Sequence, residues 1–288
     1  MKRIFLLLTA LVVSTLLLLY SGAMVGCTLL PEIKGDRYDW KMGVALYSFN
    51  RHPVEKSVEM VRACEVKYVE GFSFYQLGPG FNNNTMAHLD AAGISRLKTL
   101  MEQQGIIMTS MYADGKDEKE WQRMFEIAAA LHLKFITCEP RREHWDMLDR
   151  LAGRYKIKIA IHEHAKGASP YWHPDSVLAA IKEHKNFGAC ADLGHWVRSG
   201  LDPAECLNKL KGHILGIHLK DVDEKGSTRA HDVVPGRGVI DFAAVIKELK
   251  RQKFAGYVYV ECEHNWENNV PDVKAAIEHF NNVSNNDK

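Results

Sequence analysis

The chain has 288 residues, 46% hydrophobic and 25% charged, with a formal net charge of +1. That is globular composition, long enough for one large α/β domain or two small ones. The near-zero balance, with no block of like charge and no low-complexity run, leaves no electrostatic footprint for nucleic acid.

Residues 1–27 stand apart. Lys2 and Arg3 precede an apolar run from Ile4 to Tyr20, and Ser21-Gly22-Ala23-Met24-Val25-Gly26-Cys27 follows. A charged start, an apolar stretch and small residues before a cut site predict a secretory leader. Gly26-Cys27 resembles the end of a bacterial lipobox, in which the Cys becomes the lipidated first residue. Met24 departs from that motif, which prefers Leu there. The alternatives are an ordinary signal peptide and an uncleaved anchor, because the run reaches the lower limit for a spanning helix. The expected organisation is a leader over 1–27, a tether over 28–39 and a single domain over 40–288. The expected location is the periplasmic or outer face of a bacterial membrane, through an N-terminal lipid anchor. Of six cysteines, Cys27 takes the lipid in this reading. The other five are an odd number, which argues against a full disulfide framework. Cys138, Cys190 and Cys262 lie inside apolar runs and read as small buried hydrophobes.

From Trp40 onward, apolar β-branched runs alternate with amphipathic helical patterns. Strands are expected over 43–49, 68–74, 106–112, 135–138, 157–161, 187–191, 214–219 and 257–260. Helical stretches fall between them, over 54–63, 90–104, 119–131, 144–155, 174–183, 203–210 and 242–252. In the last of these Phe242, Val245, Ile246 and Leu249 recur at helical spacing. Strict alternation predicts a closed (β/α)8 TIM barrel in a single domain. An open doubly wound sheet would want a Gly-rich phosphate turn after the first strand, and Tyr47-Ser48-Phe49-Asn50 supplies none.

The strands end in polar residues: Glu70, Asp114 and Glu139 near strands two to four, then four richer motifs. These are His162-Glu163-His164, Asp192-Leu193-Gly194-His195, His218-Leu219-Lys220-Asp221 and Glu261-Cys262-Glu263. Ligand side chains at the carboxyl ends of several strands meet at one rim, where an α/β barrel does its chemistry. Imidazole and carboxylate together suit a divalent ion with positions left open for substrate. Strand parity puts His218 and Lys220 on one face and Glu261 and Glu263 on one face. The expected ligands are His162, Asp192, His218 and Glu261, with Glu163 replacing His162 if strand five kinks at its end. Lys220 and His195 are assigned to catalysis, Lys220 to steady an enolate oxygen. His164 is a substrate contact.

In order and rough spacing, Asp192-Leu193-Gly194-His195, His218-Leu219-Lys220-Asp221, Pro235-Gly236-Arg237-Gly238 and Glu261 resemble the xylose-isomerase-like TIM-barrel superfamily of sugar phosphate isomerases and epimerases. The likeness covers nearly all of 40–283. That superfamily includes ketose 3-epimerases, hydroxypyruvate isomerase, inosose dehydratase and the endonuclease IV group. The resemblance implies one divalent ion (Mn²⁺, Mg²⁺, Co²⁺ or Zn²⁺) held by a strand-five side chain with Asp192, His218 and Glu261. Strand five departs from the usual Glu-Asn-His, and His162-Glu163-His164 resembles the His-rich version of dehydratase-like members. Exported relatives of this branch resemble lyases or hydratases of 3-keto sugars.

The expected activity is therefore that of a metal-dependent sugar isomerase or epimerase, which removes a proton beside the carbonyl of a keto sugar. Glu139, Glu163 or Glu261 is the candidate base. The alternatives are a 3-keto-glycoside lyase, a 3-keto-2-hydroxyglucal hydratase and a non-catalytic sugar-binding lipoprotein. An endonuclease would need more His ligands and a basic face. His231, Arg237, Trp196, Tyr47, Phe49, Phe74 and Tyr112 are expected to meet a small carbohydrate, and an oligomer is compatible with the sequence. Cys27→Ser should release the protein from the membrane fraction. Retention after that change, with the leader still removed, would contradict lipidation.

Overall fold

The computed structural model describes residues 39–286. The leader, Cys27 and all but the end of the tether lie outside them. Among the described residues no helix is long and apolar enough to cross a membrane. The strands are β1 (Lys41–Ala45), β2 (Tyr68–Phe72), β3 (Ile107–Tyr112), β4 (Phe135–Cys138), β5 (Lys158–His162), β6 (Phe187–Asp192), β7 (Ile214–Leu219), β8 (Asp221–Val222), β9 (Asp232–Val233) and β10 (Tyr257–Val260). All but β8 and β9 form a closed parallel barrel in the order β1-β10-β7-β6-β5-β4-β3-β2. The helices are α1 (Val54–Ala63), α2 (Ala91–Gln103), α3 (Glu118–Ala130), α4 (Trp145–Tyr155), α5 (Pro174–Ile181), α6 (Leu193–Arg198), α7 (Pro203–Lys209), α8 (Phe242–Gln252) and α9 (Val270–Asn286). The eight-stranded barrel expected from the alternation is what forms.

Local chemistry sets the boundaries. Asp90, Asp117, Asp192, Asp202 and Asp241 each accept a backbone N–H of the first turn that follows, starting α2, α3, α6, α7 and α8. Helix α8 buries Phe242, Val245, Ile246 and Leu249 against the barrel. Helix α9 buries Val273, Ala276, Ile277 and Phe280. Phe280 meets Trp40 edge-on at 6.2 Å between ring centroids, fastening the end of the chain beside β1. The cysteines at 64, 138, 190, 206 and 262 are free and buried, as small apolar side chains.

Three departures from the sequence expectation have physical causes. The first strand ends at Ala45, and Leu46–Phe49 is a 3-10 turn. Buried Ser48 draws the chain aside: it donates to the Val260 carbonyl at 3.3 Å and accepts from the Cys262 N–H at 2.9 Å. Helix α6, at six residues, is too short to display a helical period. The antiparallel β8–β9 pair and the loop behind it are organised by one buried carboxylate. Asp221 accepts the N–H groups of Val222, Gly236 and Gly238 at 2.9 Å and of Ile240 at 3.3 Å. The Pro235–Gly238 motif therefore wraps a structural acid.

Gly43 marks where the barrel closes most tightly. It pairs with Tyr68 across β1 and β2, and a Cβ there would lie 2.3 Å from the Tyr68 carbonyl oxygen. That obstacle is backbone, so two strands must part. Gly43→Ala should lower stability by about 2–3 kcal/mol, read from urea unfolding. An unchanged midpoint would show that the barrel yields there without cost.

Candidate metal centre

The rim gathers its side chains through register. Asp192 at the end of β6 lies opposite His218 of β7, and His162 ends the neighbouring β5. Glu261 follows β10. One donor atom from each of His162, Asp192, His218 and Glu261 falls within 4.8 Å of the others, and all four residues are buried. Asp192 divides its carboxylate between two tasks. Oδ1 accepts the His195 N–H at 2.9 Å and caps α6. Oδ2 lies 3.5 Å from His162 Nε2 and 3.7 Å from His218 Nδ1, and Glu261 Oε2 is 3.1 Å from His218 Nδ1.

Asp192 Oδ2, His218 Nδ1 and Glu261 Oε2 are buried without a hydrogen bond. A buried polar atom left unsatisfied is costly, and three facing one another call for a missing partner. Two imidazole nitrogens and two carboxylate oxygens form a donor set suited to a divalent ion. The residues fit such an ion.

Each imidazole is set by a carboxylate on its far nitrogen. His218 Nε2 lies 2.6 Å from Glu70 Oε2. Completely buried Glu70 also accepts from Ser110 at 2.9 Å and Thr137 at 2.5 Å. Burial opposes charge on His218, but Cys190, Glu261 and Glu70 beside it raise its pKa well above the ordinary range, so an ion would displace a proton there. The neutral tautomer with Nε2–H toward Glu70 would turn its Nδ1 lone pair to the centre. His162 does the converse: Nδ1 is 3.0 Å from Glu139 Oε1, so Nε2 faces Asp192. Such outer partners fix tautomer and orientation and raise ligand basicity. Two further donor clusters, Glu70–Cys190–His218 and Glu139–His162–His164, share an imidazole with the centre and read as its supports. A neutral imidazole has a single lone pair to give. Burial pushes the Cys190 thiol up to about 12, which keeps it protonated. Burial opposes ionisation of Glu139, but hydrogen bonds from His162 and His164 hold its carboxyl well below the ordinary range.

A cavity of about 360 Å³ opens over the centre. One wall is aromatic: Tyr47, Phe72, Phe74 and Tyr112, with Phe72 and Tyr112 stacked at 5.8 Å. The other carries His164, His195, Arg198, Asp232 and Glu263. His164 donates Nδ1–H to Glu139, and its ring lies 4.5 Å from that of His195. Burial, with the nearby Lys220 cation, holds His195 well below the usual imidazole range against the pull of Asp192. Lys220 itself is buried behind the ligands. Its Nζ lies 2.5 Å from Glu263 Oε1, 3.2 Å from Glu261 Oε2 and 3.8 Å from Asp192 Oδ2. Burial opposes its charge, but these carboxylates raise its pKa well above the usual amine range. Gly194 makes room for it, since a Cβ there would meet Lys220 Cγ at 2.6 Å.

The structure brings together His162, Asp192, His218 and Glu261, with Glu139, His164, His195 and Lys220 around them. Five expected site residues lie elsewhere. Glu163 follows the end of β5 and neither lines the cavity nor joins the donor cluster. It is fully buried without a hydrogen bond, and burial raises its carboxyl well above the ordinary range. Neither the ligand nor the base role suits it. Trp196 is fully buried and does not line the cavity, and Phe49 is buried likewise. His231 is 87% exposed and paired with Asp223 at 3.0 Å, and Arg237 is exposed on the loop around Asp221. Lys220 serves carboxylates and does not form the cavity wall, so a direct contact with an enolate oxygen is not its placement. The sequence reading passed over Arg198 and Asp232, and saw in Glu70 a strand-end acid alone. The first has a visible signal: Arg198 follows Asp192 and His195 at the same three-residue spacing.

Comparison with known proteins agrees with this architecture. The chain is 32% identical over 133 residues to an inosose dehydratase of Clostridium beijerinckii, covering 41% of this chain and 44% of the relative. It spans about half the length of the curated relatives it matches. A solved structure from Parabacteroides distasonis superposes with a TM-score of 0.68 at 28% identity, covering 85% of this chain and 100% of the other. The zinc-bound IolI protein superposes with a TM-score of 0.71 at 18% identity, covering 86% of this chain and 99% of the other, a likeness of fold. Residues 66–283 match the xylose isomerase-like TIM barrel family, and with the closed barrel and its rim of ligands in place, the chain belongs to that family.

Proposed function

We propose that the chain is a divalent-metal-dependent lyase of the dehydratase type, which eliminates water from a keto sugar or keto cyclitol. The observation that carries this is the Glu139–His164 pair. A carboxylate fixes the Nδ1–H of an imidazole on the cavity wall, leaving Nε2 free beside the four-residue centre. A base oriented in this way is the usual arrangement for taking a proton from carbon. The ion would be held by His162, Asp192, His218 and Glu261, and when bound it would supply polarisation of a carbonyl, which acidifies the neighbouring C–H bond. His164 Nε2 takes that proton. The same imidazolium then hands it to the hydroxyl on the next carbon, so the C–H and C–O bonds break, a C=C bond forms and water departs. Neutral His195 orients the substrate hydroxyls beside it. The relative named inosose dehydratase supports this class of reaction.

Epimerisation is the second reading, and Glu263 favours it. Burial and the neighbouring Glu261 raise its carboxyl above the ordinary range despite Lys220, and it lines the same cavity. It could return a proton to the opposite face. The two readings separate in heavy water, with a panel of ketohexoses, 3-keto glucosides and keto cyclitols. A lyase releases water and gives an unsaturated product. An epimerase gives a labelled epimer of unchanged composition. Absence of both α-carbon exchange and dehydration across the panel, with the centre loaded, would favour a binding protein.

Two variants divide the site. His164→Ala should lower turnover by about 10²–10⁴-fold and leave metal content intact. Asp192→Ala should strip the metal, because it removes one of four protein donors. A tightly held equivalent of metal in the Asp192 variant, by elemental analysis, would show that the ligands are misassigned.

A further inference from the structure

The second polar wall contains a charge pair that neither the metal centre nor the proposed proton transfer uses. Arg198 is buried on α6, yet its side chain lines the cavity. Its Nη2 donates to Asp232 Oδ2 at 2.6 Å and to the Ala230 carbonyl at 3.1 Å. Asp232 lines the same cavity from β9. Its backbone is held by pairing with Val222, next to the anchored Asp221. The carboxylate is thus aimed by an Arg on one side and a pinned hairpin on the other. Its Oδ1 is buried without a hydrogen bond, and a carboxylate can accept several. The Asp232 side chain as a whole is 20% exposed and lines the cavity, so its carboxylate keeps acceptor capacity there beyond the Arg198 bond, and the pair has no spare positive charge.

Arg198 is the one Lys or Arg side chain among the residues lining this cavity, and it is already neutralised by Asp232. Lys220, behind the wall, is committed to Glu263 and Glu261. Away from the proposed ion, a phosphate or carboxylate on the substrate would find no uncommitted Lys or Arg among the described residues of the lining and would face Asp232 and Glu263. A hydroxyl would find an acceptor in Asp232. Across the cavity, Phe72, Phe74 and Tyr112 offer aromatic faces to the apolar C–H face of a sugar ring, and Phe74 is 53% exposed.

We propose that Asp232, positioned by Arg198, grips a substrate hydroxyl and restricts the site to uncharged polyhydroxylated rings, excluding phosphate esters and sugar acids. This rests on the reading of the site as one for a carbonyl-bearing carbohydrate, and it assigns the recognition that the sequence alone suggested for His231 and Arg237.

The test is ligand binding to the metal-loaded protein, by saturation-transfer NMR and calorimetry, using D-fructose and D-tagatose against their 6-phosphates. The wild type should prefer the neutral ketoses by at least about tenfold. Asp232→Asn should weaken them about tenfold and reverse the preference, because Arg198 loses its counter-charge. Arg198→Lys keeps the charge but loses the guanidinium fork. It should loosen neutral ketoses a few-fold and keep the preference, which guards against a misfolded Asp232 variant. A wild type that binds the 6-phosphates as tightly, or binds no neutral ketose, overturns the proposal. So does an Asp232→Asn protein with unchanged preference. Selective binding without proton exchange would leave this inference standing and remove the lyase reading.

Discussion

The site depends on a set of buried donor atoms that the protein brings together and leaves unsatisfied. Asp192 Oδ2, His218 Nδ1 and Glu261 Oε2 sit in a dry rim without hydrogen bonds. Lys220 approaches Glu261 Oε2 at 3.2 Å as an ion pair, and for Asp192 and His218 the second polar atom of the side chain is tied to the fold. Asp192 Oδ1 caps α6 and His218 Nε2 meets Glu70. In these two side chains one end is tied to the fold and the other faces the candidate centre. A divalent ion, the partner proposed for these atoms, would repay that cost on binding.

The polar layer below the rim follows from the same need. Buried Glu70 would be expensive alone, and Ser110, Thr137 and His218 hold it. Tyr259 extends the network, its hydroxyl 2.9 Å from Ser110 Oγ and sharing a 2.6 Å hydrogen bond with Thr109. The upper core of this barrel is therefore polar, where a barrel without a metal centre would pack branched apolar side chains. Lys220 plays the matching part among Asp192, Glu261 and Glu263. Its buried ammonium offsets their mutual repulsion and helps keep His195 neutral.

How much of this was legible in the sequence follows from what each feature depends on. The barrel was readable because strands buried on both faces and helices with one apolar stripe are local patterns. The candidate ligands could be picked out because His162, Asp192 and His218 end or nearly end their strands and Glu261 follows β10, which brings their donor atoms to one rim. What escaped depends on contacts distant in sequence. Nothing near Glu70 says that it will meet His218, 148 residues later. Arg198 and Asp232 meet only because a two-residue antiparallel pair folds back over α6, and such a pair gives no periodicity. His231 and Arg237 looked functional by type and neighbourhood. His231 is held outside by Asp223, and Arg237 sits on the loop anchored by Asp221, whose role is invisible without the backbone N–H groups it collects. Trp196 misled for a similar reason: helix α6 turns it into the core while His195 and Arg198 face the cavity.

The central claim, that one divalent ion belongs among these four residues with its imidazoles set by Glu70 and Glu139, is tested most directly by anomalous diffraction from crystals grown with Zn²⁺ or Mn²⁺. The account predicts one dominant peak about 2.0–2.3 Å from His162 Nε2, His218 Nδ1, Asp192 Oδ2 and Glu261 Oε2. A dominant peak on the far side of His162, bound by Glu139 and His164, or one beside Glu163, would contradict it.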